Sequence, residues 1–236
     1  MRYLHEYARP APSILNATLF SLALFIVSSN FNPAQAQENS FTKAELHLQA
    51  IDIDLIFDGN QRLTEFNSLD IVLRQRLSDT LDGSILFGYL IALQNSNPIF
   101  AGQDLGGNYL GLDLRLHLAN TQRFKMFGQI EYRYNWVDAT ITDQSVEWNW
   151  HQTALALHTL RNISNGLYIS LGASTLQIDG VEKARGPVDQ NIDFKAKDGL
   201  TGHIGLQFDL GDAGQIGMEA QTGSSQGGRI TFQSSF

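Results

Sequence analysis

Three sets of residues in this chain carry groups and spacings from which chemistry could be built. Asp70, Arg74, Arg76, Asp113, Arg115, Glu131, Arg133, Glu219 and Arg229 sit at alternating positions of otherwise apolar segments. With both signs present, such a set neutralises itself as ion pairs or, if water separates the groups, lines a passage that selects small polar solutes. Ser145, Glu147 and His151, with His203 far along the chain, supply the nucleophile, carboxylate and base of a hydrolase. Isolated histidines and carboxylates are nevertheless expected in any polar interior, so the chain is expected not to be an enzyme. His47, His117, His158 and His203 fall in different segments, and Asp52 with Asp54 is a lone carboxylate pair. Neither pattern has metal-ligand spacing, so no metal and no cofactor is expected.

What must position these groups is a series of strands. Leu110, Leu112, Leu114, Leu116 and Leu118 alternate with Gly111, Asp113, Arg115 and His117, so one face is leucine and the other is polar. That is a strand between oil and water. The two-residue period recurs over Ala44 to Phe57, Leu69 to Leu77, Ser84 to Leu93, Tyr109 to Leu118, Lys125 to Val137, Glu147 to Leu160, Leu167 to Ile178, Leu200 to Leu210, Gln215 to Thr222 and Arg229 to Phe236. The first segment changes phase: Leu46 and Leu48 face one way, while Ile51, Ile53 and Leu55 face the other. A bulge near Ala50 and Ile51 would reconcile its two halves.

The connections agree with a membrane barrel, in which short turns on one side alternate with longer loops on the other. Ser78 to Gly83, Ala119 to Phe124, Arg161 to Gly166 and Gly211 to Gly214 are short; Asp58 to Ser68, Gln94 to Asn108, Asp138 to Val146 and Asp179 to Gly199 are longer. Gly223 to Gly228 is short for an outer loop. None of the five prolines interrupts a strand. Trp136, Trp148 and Trp150 flank one outer loop and read as part of an interfacial aromatic girdle. An Arg or Lys on the lipid face costs about 2 to 4 kcal/mol near the midplane. The polar set therefore points inward, together with Glu45, His47, Asp52, Asp54, His117, His203 and Asp209. The fold class expected is an all-β, antiparallel, up-and-down transmembrane β-barrel of ten strands. Eight strands are just filled by their side chains and sixteen to eighteen enclose water, so ten implies a largely filled polar lumen. A narrow porin-like passive channel is the alternative, and a rim hydrolase comes third.

The ends set the address. Arg2 and Arg9 precede an apolar run from Leu19 to Val27, and Ala34-Gln35-Ala36 offers small residues for cleavage, so residues 1–36 read as a signal peptide for Sec-type export and 37–236 as the barrel. Removing Arg2, Arg9 and Glu6 leaves 14 basic and 23 acidic residues, a net charge of −9. Nucleic acid is excluded as a partner on that balance. With no cysteine, neither a lipid anchor, a disulfide nor a thiolate metal site is available.

The closing stretch Arg229-Ile230-Thr231-Phe232-Gln233-Ser234-Ser235-Phe236 looks like an outer-membrane assembly signal, with Ile230, Phe232 and Phe236 as its apolar positions. On it and the alternation, the chain resembles small bacterial outer-membrane barrels of the OmpA and OmpX type. The resemblance implies a bacterial outer-membrane location and handling by periplasmic chaperones and the barrel-assembly machinery. It also implies outer-membrane lipid and lipopolysaccharide as surroundings. Those barrels have eight strands; ten is the count of omptin proteases and of the OpcA adhesin. The cations of the longest loop, Lys183, Arg185, Lys195 and Lys197, suit lipopolysaccharide phosphates or a surface ligand. The function expected is envelope structure or surface interaction.

Overall fold

A computed structural model describes residues 43–97, 99, 104–121, 123–141, 143–211 and 214–235. The expected signal segment, Pro98 and the closing Phe236 lie outside the described residues.

Alternation becomes strand along the whole described chain: β1 (Lys43–Phe57), β2 (Asn60–Arg76), β3 (Leu81–Leu93), β4 (Asp104–Asn120), β5 (Phe124–Ile141), β6 (Gln144–Ser164), β7 (Leu167–Arg185), β8 (Gln190–Ala196), β9 (Leu200–Asp209), β10 (Gln215–Gly223) and β11 (Ser225–Ser235). All pairings are antiparallel, and β11 returns to β1 from Lys43↔Ser235 to Ile53↔Ser225. β1 to β7 and β9 to β11 thus close the ten-stranded barrel, and β8 is an eleventh strand outside that ring. Closure removes the unpaired sheet edge, which is the condition for a sheet to cross lipid.

The outer wall carries a continuous apolar belt. Leu48 lies beside Leu69, Ile71 beside Phe87, Ile85 beside Leu112, and Leu114 beside Ile130. Ile130 then meets Leu155, Leu157 meets Ala173, and Leu171 meets Ile204. Leu206 meets Met218, Met218 meets Ile230, and Ile230 returns to Leu48. This is an up-and-down transmembrane β-barrel.

Its strands are longer than a membrane requires. β6 has 21 residues; at about 3.3 Å per residue and a tilt near 45° it rises about 50 Å, twice the roughly 25 Å apolar band. Where the wall leaves that band, the alternation inverts. Inward positions of β1 run Glu45, His47, Gln49, then Ile51, Ile53, Leu55 and Phe57, while outward positions pass from Leu46 and Leu48 to Asp52 and Asp54. The register with β2 and β11 is unbroken through Ala50 and Ile51, so the expected bulge is absent. What changes is the solvent outside. Within the band lipid takes the apolar residues; beyond it water surrounds the wall, and the interior is where they escape it. Asp52 and Asp54 therefore face outward and do not belong to the lumen set.

Several expected loops are this projecting wall. Asp58 to Ser68 shrinks to the turn Asp58-Gly59, whose φ angles of 46° and 82° are the left-handed values of a type I′ hairpin. Asp138 to Val146 shrinks to the two residues between β5 and β6, and Asp179 to Gly199 is largely the β7–β8 hairpin. β8 pairs with β7 from Asp179↔Lys195 to Ala184↔Gln190 and with the end of β1 at Leu55↔Ala196 and Phe57↔Phe194. It closes the wall beyond the shorter β9, β10 and β11, so a ring of ten strands at the rim carrying the two described ends becomes a ring of eight at the hairpin rim.

That narrower ring is packed solid. Phe194 lies 4.9 Å from Phe57 and 5.3 Å from Trp148 between ring centroids, and Phe66 lies 5.7 Å from Trp150. Trp148 and Trp150, expected in an outward girdle, are 0% and 2% exposed inside this cap. Their inward parity on β6 follows from the same inversion. Trp136 does face outward, beside Tyr134. Glu182, buried in this cap, accepts hydrogen bonds from Trp148 Nε1 (2.9 Å) and Asn97 Nδ2 (3.1 Å), which meets the cost of burying it.

Candidate functional site

Below the cap the inward positions are mainly polar, with Val72, Leu86 and Phe127 packed among them, and the charges meet across strands. Arg74 on β2 donates from Nε to Glu45 on β1 (3.0 Å) and from Nη1 to Asp113 on β4 (3.0 Å). Ser84 on β3 also donates to Asp113, at 3.1 Å. His47 lies 3.1 Å from Glu45 and 4.0 Å from Asp70. Arg133 reaches Glu131 at 2.6 Å and Asp70 at 3.7 Å, with its guanidinium 4.7 Å over the Tyr109 ring. His117 meets Asp82 at 2.9 Å. Each charge compensates the desolvation of its partner, so removing one would strand the other.

The sequence sets Asp113 and Arg115 opposite Gln129, Glu131 and Arg133; the register pairs Asp113 with Glu131 and Arg115 with Gln129, while Arg133 lies opposite Gly111. The ion pairs form elsewhere, because Asp113 takes Arg74 and Glu131 takes Arg133. Arg115 lies 4.4 Å over the Phe127 ring and makes no ion pair among the described residues. Arg76 is exposed at the rim of the two described ends, outside the network.

A second cluster spans β7, β9, β10 and β11. Arg229 donates to Glu219 at 3.0 Å, Glu219 lies 3.4 Å from His203 Nδ1, and Ser174 Oγ lies 2.7 Å from His203 Nε2. His158 packs its ring 5.4 Å from His203 and stacks on Phe127 at 5.2 Å. Glycine at position 172 makes this possible, since a Cβ there would fall 2.7 Å from His158 Nδ1. Ser174 escapes a reading of the sequence because a lone serine on a strand has no signature. Its inward parity, shared with Leu176 and Ile178 on β7, is the signal that could have found it.

The remaining candidates separate. Ser145, Glu147 and His151 lie at outward positions of β6, about 7 and 13 Å apart along the strand, too far to act together. Glu147 instead pairs with Lys183 and Asn149, and His151 with the Tyr132 hydroxyl. His203 is in the lumen. Ile230 and Phe232 face outward in the belt. Arg185 pairs with Asp189 at 2.7 Å on the hairpin.

Among the described residues, cavities remain between these groups. One of about 120 Å³ lies under the cap, bounded by Ile53, Phe66 and Trp150 and reached by Arg133, Ser174, His203, Glu219 and Arg229. Another of about 130 Å³ shares His158 and Glu219 with it and extends to Gln215 and Gln233 near the rim of the two described ends. The two cavities follow one another between that rim and the aromatic cap.

No protein-family model matches the chain, and no curated protein matches it. Solved structures similar to it include the translocator domain of the autotransporter NalP from Neisseria meningitidis, 11% identical over 94% of this chain and 96% of that one, with a TM-score of 0.43. The β domain of the Bordetella autotransporter BrkA is 12% identical over 82% of this chain and 98% of that one, TM-score 0.46. The outer-membrane protease OmpT from Escherichia coli is 6% identical over 83% and 94%, TM-score 0.45.

Proposed function

We propose that the protein is an integral outer-membrane barrel whose polar lumen is closed at the outer end, serving envelope structure or surface interaction through the wall and hairpin that project beyond the lipid. The apolar belt supports the membrane setting. The even ring brings Lys43 and Ser235 together at one rim, the periplasmic one in this reading. Export after loss of residues 1–36, assembly by the barrel machinery with periplasmic chaperones, and lipopolysaccharide around the belt belong to the same proposal. So does kinship with the OmpA and OmpX type barrels, carried by Ile230, Phe232 and Phe236.

The observation that carries the closed reading is the cap of Phe57, Trp148, Trp150 and Phe194, buried where a channel would need to open. The cavities beneath it favour a second reading, a narrow passive channel for small polar solutes lined by Glu131 and Arg133. Single-channel recording of the refolded protein in a planar bilayer separates the two. A silent bilayer with inserted, folded protein is the expected result; reproducible steps altered by Arg133→Ala would replace the closed barrel with the channel.

A further inference from the structure

A closed, self-neutralised lumen accounts for the pairs Arg74–Glu45, Arg133–Glu131 and Arg229–Glu219, but not for a serine hydroxyl aimed at an imidazole beside a cavity. From that geometry we infer that Ser174, His203 and Glu219 form an acyl-transfer centre inside the barrel, acting on short-chain carboxylic esters that enter from the rim carrying the two described ends. The assignment departs from the expectation of a barrel without catalysis, and from the rim set Ser145, Glu147 and His151.

The three groups stand in the order such chemistry requires. Glu219 Oε1 lies 3.4 Å from His203 Nδ1, an ion-pair contact with no hydrogen bond formed at Nδ1 among the described residues, and its charge favours the tautomer with the proton there. Nε2 is then the acceptor, 2.7 Å from Ser174 Oγ. Arg229 Nη2 donates to the same Glu219 Oε1 at 3.0 Å and holds the carboxylate in place. All four residues sit on strands of a closed sheet, where the side chains are held more rigidly than on loops. The same arrangement of roles is recognised by geometry on unrelated folds, whatever the chain order.

The cavity supplies the second observation. Asn135 and Trp150 line it, each 2% exposed, and Asn135 Nδ2 and Trp150 Nε1 have no hydrogen-bond partner among the described residues. A buried donor without a partner has lost its hydration with nothing in return. An ester presents acceptor oxygens to such donors. Ile51, Ile53 and Leu176 on the same lining suit a short acyl chain. The second cavity, sharing His158 and Glu219, is the route inward.

In the reaction the Ser174 Oγ bonds to the ester carbonyl carbon while its proton passes to His203 Nε2. The carbon–oxygen bond to the alcohol breaks, and the imidazolium returns the proton to the departing alkoxide. Water repeats the sequence on the acyl-serine, releasing the carboxylic acid and restoring the hydroxyl.

Diisopropyl fluorophosphate on the refolded barrel in detergent, read by intact mass and peptide mapping, tests the assignment. One adduct per chain on Ser174 is expected, absent in Ser174→Ala, and formed on the order of 10³-fold more slowly in His203→Gln. Hydrolysis of p-nitrophenyl acetate is expected to fall in parallel. Heat-modifiable gel migration certifies each variant as folded. No adduct on the folded protein, or one that persists in Ser174→Ala, would overturn the assignment. Bilayer conductance is independent of this result, so a conducting barrel would refute the closed reading and leave the acyl-transfer centre to stand or fall by its adduct.

Discussion

Phe57 and Phe194 stack with 4.9 Å between centroids and 28° between planes, joining the first strand of the barrel to a strand that lies outside its ten-membered ring. The contact makes the hairpin of β7 and β8 part of the wall rather than an appendage. Trp148 and Trp150 pack on the same Phe194 ring, at 5.3 and 6.2 Å. Phe194→Ala is expected to cost about 3 to 5 kcal/mol, as for other buried aromatic truncations. It should lower the denaturant midpoint of the folded barrel and, by thinning the cap, admit ion flow in a bilayer. An unchanged midpoint would mean that β8 lies on the wall without closing it.

The three tryptophans divide between two solvents. Trp136 is 38% exposed on the outer wall beside Tyr134, whereas Trp148 and Trp150 are enclosed. In vesicles containing brominated lipid, the double variant Trp148→Phe with Trp150→Phe should have its remaining emission strongly quenched. Trp136→Phe should retain emission that neither brominated lipid nor aqueous iodide reaches. Lipid quenching of Trp150 would put it back in a girdle.

That division also marks where the sequence can be read. Period-two alternation suffices for ten ring strands and for the inward parity of Asp70, Arg74, Asp113, Arg133 and Glu219, because lipid enforces one apolar face. It misleads beyond the lipid, where the same alternation serves a wall with water outside. Each phase slip taken alone resembles a bulge. Taken together, the slips have one cause: Ile51 against Leu48 in β1, Phe66 against Leu69 in β2, Val137 against Ile130 in β5, Trp150 against Leu155 in β6 and Ile178 against Leu171 in β7 all fall toward the hairpin rim. Synchronous slips signal a change of solvent. The pairing of Arg74 with Asp113, and of Ser174 with His203, depends on contacts between strands that alternation alone does not rank.

Arg74 and Arg115 face the same lumen but differ in what they hold. Arg74 bridges Glu45 and Asp113 at 3.0 Å each, so Arg74→Met leaves two buried carboxylates short of a cation and is expected to cost about 3 to 5 kcal/mol. Arg115 rests on Phe127 with its Nε unpartnered among the described residues, so Arg115→Met gives up a cation–π contact of about 1 to 2 kcal/mol and relieves a buried donor. Urea unfolding in detergent should therefore rank Arg115→Met well above Arg74→Met. Equal losses would show that the lumen charges act as one network rather than as discrete pairs.

The natural chain has no cysteine, so single introduced thiols report topology without background. Val188, 41% exposed at the tip between β7 and β8, lies at the hairpin rim; Thr80, also exposed, lies in the turn between β2 and β3 at the other. Thr64, which the sequence places in an outer loop, is instead an inward residue of β2, 0% exposed and bonded to Gln94 at 2.8 Å. With a polymer-linked maleimide on intact cells, Val188→Cys should label at once. Thr80→Cys should label only after the outer membrane is permeabilised, and Thr64→Cys only after the barrel is unfolded. Labelling of Thr80→Cys in place of Val188→Cys would invert the barrel and put the aromatic cap at the periplasmic end, while rapid labelling of Thr64→Cys would show that water passes the cap.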